Sequence, residues 1–346
     1  MNETPLYWVG IDVAKPTFDA AVASPGQRAG GATLKKAPVQ TFARDAEGVQ
    51  AFVQWLHTYV ADQTPYPVRA VMEATGVYSI QLTALLSRAC PALRPAIVNP
   101  ERTAAFRDSL GLRNKTDRLD ARALAFYGLE RQPDPYEPLS PAQAELRALS
   151  RCRDDLIATR TVHSNQLGEQ PTSVLVRKTL KTLLARIDKD IAKLEHEMKH
   201  VIQSNPELKR DYELLLTIPS VGFVTAAVVL AEFGDLRRFG TARQIGAHAG
   251  VTAAKVESGA QANPGHMSKK GSARVRQALY MASITAINHN PPLMDVYTRL
   301  CANGKLHMVA LGAVMRKLLV LMRAVVVSGK PFNRSGKPCE EAPQNV

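Results

Sequence analysis

The segment NKTDRLDARALA, residues 114–125, places Asp117 and Asp120 three positions apart at the start of an expected helix. That spacing puts both carboxylates on one side of the helix. Taken alone, the pair is an ordinary helix start, since acids there complement the macrodipole and cap free N–H groups. Two further acids change its meaning. Asp12 closes the apolar run WVGI, and Glu73 follows RAVM and precedes the turn ATG. A charge at the end of an apolar strand is costly unless it lies at an edge, meets a cation or binds a metal. Ligands of open α/β sheets also gather at strand ends. No His or Cys accompanies the four acids in these segments. An all-oxygen set of this kind suits a hard cation, Mg²⁺ or Mn²⁺. Two such ions can clamp the attacking and leaving oxygens of a phosphodiester.

These acids need elements to position them. Residues 6–14 (LYWVGIDVA) read as a buried strand and 18–24 (FDAAVAS) as its neighbour, with Gly26, Gly30 and Gly31 punctuating the connection. A third strand is expected near 33–43. Residues 46–60 form an amphipathic helix with Val49, Phe52, Val53, Leu56 and Val60 on one face. Strand 68–73, helix 77–89, strand 95–98, helix 101–110 and the helix of Asp117 and Asp120 follow. Strands first, then alternating strands and helices, point to an α/β sheet covered by helices over residues 1–130.

Residues 131–140 hold three prolines and read as a linker. Beyond it Leu180, Leu184, Ile187, Ile191, Leu194, Met198 and Val201 recur at spacings of four and three, a heptad seam. A helix hairpin or a coiled-coil dimerisation arm over 131–210 fits, and so does a plain antiparallel helix pair within one chain. From 211 to 330 a mostly α-helical unit is expected. Its segment IPSVGFVTAAVVL, residues 218–230, resembles a helix-hairpin-helix element with a tight turn at Gly222. A simple helix–turn–helix core contact explains that segment equally well. The polar stretch 331–346 is read as a flexible tail.

The chain has 346 residues, 45% of them hydrophobic, with a formal net charge of +13. That content supports real cores and excludes wholesale disorder. The charge favours a polyanionic partner, nucleic acid before an anionic membrane surface. Arg102, Arg107, Arg113, Lys115, Arg118 and Arg122 flank the paired aspartates, and Lys255, Lys269, Lys270, Arg274 and Arg276 face a single acid, Glu257, over 255–277. Such groups suit phosphate backbones, with affinity that falls in salt. The apolar run 306–327 is broken by Arg316, Lys317 and Arg323, so a buried helix is expected and no membrane span. No secretory leader is expected at MNETPLYWVGID. Cys90, Cys152, Cys301 and Cys339 are far apart and form no CxxC pair, which fits a cytoplasmic protein without a zinc site.

GIDVAK around Asp12, MEATGVY around Glu73 and VNPERTAAFRDSLGLRNKTDRLDARALA around Asp117 and Asp120 resemble the DEDD transposases of bacterial insertion-sequence family 110, relatives of the Piv-type invertases. The resemblance continues through IPSVG, RRFGTARQIGAHAGVTAAKVESG (237–259), MSKKGSARVRQALYMA (267–282) and the ANGK and GAVMRKLL segments. It covers nearly the whole chain; the differences lie in 25–40 and 160–180. It implies a RuvC-like, ribonuclease-H-type domain carrying Asp12, Glu73, Asp117 and Asp120 as metal ligands. It also implies a serine nucleophile, here Ser258 in VESG, which attacks DNA to give a phosphoserine intermediate that a free 3′ hydroxyl later reverses. A structured guide RNA, the bridge RNA, would pair with donor and target DNA, and the protein would act as a dimer or tetramer. The acid site of one subunit would then meet the serine of another.

From the residues alone Ser258 is a turn serine, and Ser268 or Ser272 would serve as well. No His lies beside it to act as a base. A metal held by the four acids could lower its hydroxyl pKa or stabilise the leaving oxygen. Two neighbouring functions share part of this pattern. A hydrolytic RuvC-like nuclease needs the acids but not residues 210–330. A non-catalytic nucleic-acid-binding protein leaves Asp12 and Glu73 without a role. An actin-like ATPase would need a glycine-rich phosphate loop after Asp12, where the sequence instead reads VAKPTF.

Overall fold

The computed structural model describes residues 7–60, 68–112, 116–254, 257–258, 261–262 and 266–333. The chain divides into two compact units, Met1–Pro138 and Leu139–Val346. The first holds β1 (Tyr7–Val13), β2 (Thr17–Ala23), α1 (Gly31–Lys36), β3 (Val39–Ala43), α2 (Ala46–His57), β4 (Val68–Glu73), α3 (Val77–Ala89), β5 (Ala96–Val98), α4 (Pro100–Ser109) and α5 (Asp117–Arg131). Its five strands form one mixed sheet in the order β3-β2-β1-β4-β5. β1 runs antiparallel to β2 and parallel to β4. β2 also pairs antiparallel with β3, and β5 parallel with β4. This order and these directions are compatible with a ribonuclease-H-type sheet.

Alternation along each strand divides the core in two. Val9, Ile11, Phe18, Ala20, Val22, Ala70 and Met72 pack on one face with Val49, Phe52 and Leu56 of α2. Burying a side chain such as Phe52 contributes roughly 1.5–3 kcal/mol. Trp8, Ala21, Ala23, Val71 and Val98 pack on the other face with Phe106 of α4 and Ala121–Tyr127 of α5. Two glycines let α5 lie against that second face. A Cβ on Gly10 would collide with the α5 backbone at Ala121 and Ala125, and one on Gly128 would collide with the Trp8 ring.

The third strand is shorter than the sequence pattern suggests. It starts at Val39, and residues Gly31–Lys36 form a helix instead. Pro38 explains the boundary: it forces Ala37 out of the helical region, to φ −58 and ψ 130. The strand signal and the helix signal therefore sit on opposite sides of one proline.

The second unit opens with α6 (Pro141–Gly168) and α7 (Val174–Ser204). Ser140 and Gln143 close a reciprocal capping box at the start of α6. α7 lies against α6. Of the heptad seam, Ile187, Met198 and Val201 are buried and the rest half-buried. Packing against α6 within the chain accounts for the buried part of the seam. Near the loop between these helices Val174 and Leu175 are 71% and 73% exposed.

α8 (Pro206–Leu216), α9 (Phe223–Phe233), α10 (Ala242–Ala249), α11 (Ala273–His289), α12 (Pro291–Ala302) and α13 (His307–Ser328) complete the unit. α9 is buried throughout Thr225–Phe233 and packs on α6, α8 and α11. Its central place explains its run of small and apolar residues. The turn before it is tight, but the residue in the left-handed region is Ser220, at φ 87. Gly222 caps α9 in an extended conformation. α13 carries the apolar run 306–327 and buries Leu311, Val314, Met315, Leu318, Leu319 and Met322. Arg316 and Lys317 face outward. No helix among the described residues is long and apolar enough to cross a membrane.

Candidate functional site

Asp12 lies on the α5 side of the sheet, two positions beyond Gly10 in the strand. β1 and β4 pair in register with Ile11 beside Met72, so Asp12 and Glu73 follow as neighbours at the carboxyl ends of two parallel strands. α5 starts at Asp117 and seats Ala121 on Gly10. Asp117 sits one turn before that contact and Asp120 immediately before it. The glycine that admits the helix therefore also brings its acids toward the strand ends. Thr116 caps α5, its hydroxyl accepting a hydrogen bond from the Leu119 N–H.

The electrostatics follow from this crowding. The Asp12 carboxyl is pushed up to about 6, first by burial and then by the charges of Asp117, Asp120, Glu73 and Asp19. Asp19 went unremarked in the sequence pattern. It stands opposite Asp12 in the β1–β2 register, is 8% exposed, and accepts a 2.5 Å hydrogen bond from the Thr41 hydroxyl. Its only sequence signal is an acid interrupting the strand FDAAVA at the position that faces Asp12.

Two of the four acids are held from α4. The Arg107 Nη1 lies 2.7 Å from Asp120 Oδ1. The Thr103 hydroxyl lies 2.5 Å from Glu73 Oε1 and 2.9 Å from the Pro100 carbonyl, so one proton is shared between two acceptors. Thr103 and Arg107 are one turn apart on the same side of α4. As the side chains stand, no group of three or more His, Cys, Asp or Glu among the described residues is arranged to hold a metal ion. The donor chemistry nonetheless fits a hard divalent cation: carboxylate oxygens only, around a half-buried Asp12 repelled by its neighbours.

The basic residues separate into two groups. Arg118, Lys269 and Lys270 are exposed, and Lys269 adopts the left-handed region at φ 54. Arg122 instead donates to the Ala37 carbonyl at 2.8 Å. Arg274 bonds Asp155 at 2.7 Å and the Arg151 carbonyl at 3.1 Å. Arg276 bonds the Gly271 carbonyl at 2.7 Å. These three arginines hold the fold together. Arg113, Lys115 and Lys255 lie outside the described residues. Ser258 pairs through its backbone with Gln261 in a short hairpin, and its side chain lies outside what the structure describes.

A sheet of this order with acids at its strand ends is compatible with a RuvC-like domain, and similarity to known proteins gives the class, a DNA transposase or recombinase. The chain belongs to the IS110-type DEDD transposases. Residues 9–174 match the DEDD transposase family of IS110, and residues 212–298 match the transposase family of IS116, IS110 and IS902. It is 28% identical over 331 residues to the pilin gene-inverting protein of Moraxella bovis, covering 94% of this chain and 98% of that one. The Moraxella lacunata protein of the same name is equally similar. The transposase for insertion sequence element IS1111A of Coxiella burnetii is 25% identical over 250 residues, covering 63% of this chain and 66% of that protein.

Proposed function

We propose that this transposase is an RNA-guided, site-specific recombinase that cleaves and exchanges DNA strands with Mg²⁺ or Mn²⁺ through a covalent phosphoserine intermediate. The observation that carries the acid half of this reading is the crowding of Asp12 by Glu73, Asp117 and Asp120. Those four residues would hold the metal, which when bound supplies charge stabilisation at the attacked phosphate and its leaving oxygen. Asp12 and Glu73 would hold it from the strand ends, and Asp117 and Asp120 from α5. Exposed Arg118, Lys269 and Lys270 steer the nucleic acid to the protein. Ser258 is the nucleophile on its similarity to the family motif: its hydroxyl oxygen bonds phosphorus and gives up its proton, the DNA 3′ oxygen leaves as a protonated hydroxyl, and a later 3′ hydroxyl attacks the same phosphorus and releases the serine hydroxyl.

Guidance by a bridge RNA and action as a dimer or tetramer rest on the family resemblance. Base pairing in the RNA would read donor and target sequences, so the protein need encode few base-edge contacts. The test is trapping. The full chain is incubated with RNA transcribed from the DNA flanking its gene, Mg²⁺, and labelled donor and target DNA, then denatured. A labelled protein–DNA adduct that disappears in Ser258→Ala is the expected result. Cleaved DNA without an adduct would mean hydrolysis, with Ser258 an ordinary hairpin residue.

A further inference from the structure

α4 places a permanent cation on one of the four acids. Arg107 meets Asp120 at 2.7 Å, with side-chain exposures of 23% and 12%. One turn earlier Thr103 engages Glu73. Half of the acid set is thus occupied by one side of a single helix. The Asp120 hydrogen bond, set against burial, raises the guanidinium's proton affinity, with the charges of Asp120 and Glu73 adding to it. Asp117 and Asp12 have no hydrogen bond of this kind to α4 among the described residues.

We infer that Arg107 is a built-in counter-cation that competes with the divalent metal for Asp120 and must leave that carboxylate before the metal is fully held. The inference rests on the four-acid metal site proposed above. A metal ligated by Asp120 would stand beside the guanidinium that bonds its Oδ1 at 2.7 Å, and two cations on one carboxylate repel each other. A charge-assisted hydrogen bond between partly buried groups is worth enough to lower metal affinity measurably. A guanidinium released from a carboxylate is matched by a phosphodiester, which presents the same paired oxygens. Arrival of DNA therefore draws Arg107 away and completes the site, so metal loading follows substrate binding.

The experiment is Mn²⁺ titration of the full-length protein without nucleic acid, followed by the electron paramagnetic resonance of free Mn²⁺. Wild type, Arg107→Gln, Arg107→Lys, Asp12→Asn and Asp12→Asn with Arg107→Gln are compared, with thermal melts in chelator to verify folding. Arg107→Gln is expected to bind Mn²⁺ about tenfold more tightly than wild type. Arg107→Lys keeps a cation at the position and falls between them. The gain disappears when Asp12→Asn is combined with it. Mn²⁺ affinity unchanged or weakened in Arg107→Gln, while Asp12→Asn still weakens binding, overturns the inference alone and leaves Arg107 a tether between α4 and α5. No effect of Asp12→Asn overturns the inference and the metal reading together.

Discussion

Two carboxylates, one in each unit, Glu232 buried and Asp12 half-buried, have opposite surroundings. Glu232 on α9 is 9% exposed. Arg151 grips it with two hydrogen bonds of 2.7 and 3.0 Å, Arg147 lies 3.7 Å away, and the Ser272 hydroxyl donates at 3.2 Å. Burial would raise its pKa, but the hydrogen bond and charge of Arg151, with Arg147 and Ser272, hold it below the ordinary range. Asp12 on β1 has acids for neighbours, and its pKa is pushed up to about 6. Glu232 is a finished ion-pair network that joins α6, α9 and α11. Asp12 is an unfinished one, in that every charged group that shifts it is another acid. Burial alone does not tell these two carboxylates apart; the sign of the neighbouring charge does.

Removing the finished network should have the largest effect on folding. Glu232→Gln removes the buried charge that Arg151 grips and Arg147 approaches. Allowing for the partial exposure of both arginines, the second unit should lose roughly 2–4 kcal/mol in urea unfolding. A loss below about 0.5 kcal/mol would erase the distinction drawn above.

The unfinished site should respond the other way. An acid whose folded pKa lies above its unfolded value holds its proton more tightly when folded. Its contribution is therefore complete below about pH 4 and lost as pH rises through about 6. Asp12→Asn removes that loss and should stabilise the protein at pH 7. The full shift corresponds to about 3 kcal/mol, and partial solvent access reduces this to about 1–2 kcal/mol. Melting temperatures from pH 4 to pH 8 would show it, with the two proteins converging at the acid end. Glu232 has the opposite sign: its stabilisation is present above the ordinary carboxylate range and lost as pH falls. The smallest effect belongs to Thr41→Val. It strips Asp19 of one hydrogen bond and should cost about 1 kcal/mol. A gain in stability from that change would mean that Thr41 does not support the acid.

Much of this was legible in the sequence. The strands at 6–14, 18–24, 68–73 and 95–98 announced themselves by apolar runs, and Asp12 and Glu73 by ending two of them. Asp117 and Asp120 stand out only beside those two, since their spacing alone is that of an ordinary helix start. What escaped depends on tertiary register. Asp19 acquires its place only because β2 pairs with β1 so that it faces Asp12. Thr103 and Arg107 matter because α4 packs beside α5, which no local pattern encodes. Arg122, Arg274 and Arg276 look like phosphate ligands in the sequence, yet their guanidinium groups are engaged with backbone carbonyls or carboxylates. A charge count cannot tell a solvated cation from one already engaged. The turn before α9 was placed at Gly222 because glycine is the usual left-handed residue, whereas Ser220 takes that conformation.

The most direct measurement is cleavage of donor DNA in the presence of Mg²⁺ by Asp12→Asn, with RNA transcribed from the DNA flanking the gene supplied and melting followed at pH 7. The expected result is a variant that melts at or above the wild-type temperature and cleaves at least about a hundredfold more slowly. Cleavage within a few-fold of wild type by the folded variant would contradict the assignment of the acid cluster to strand cleavage.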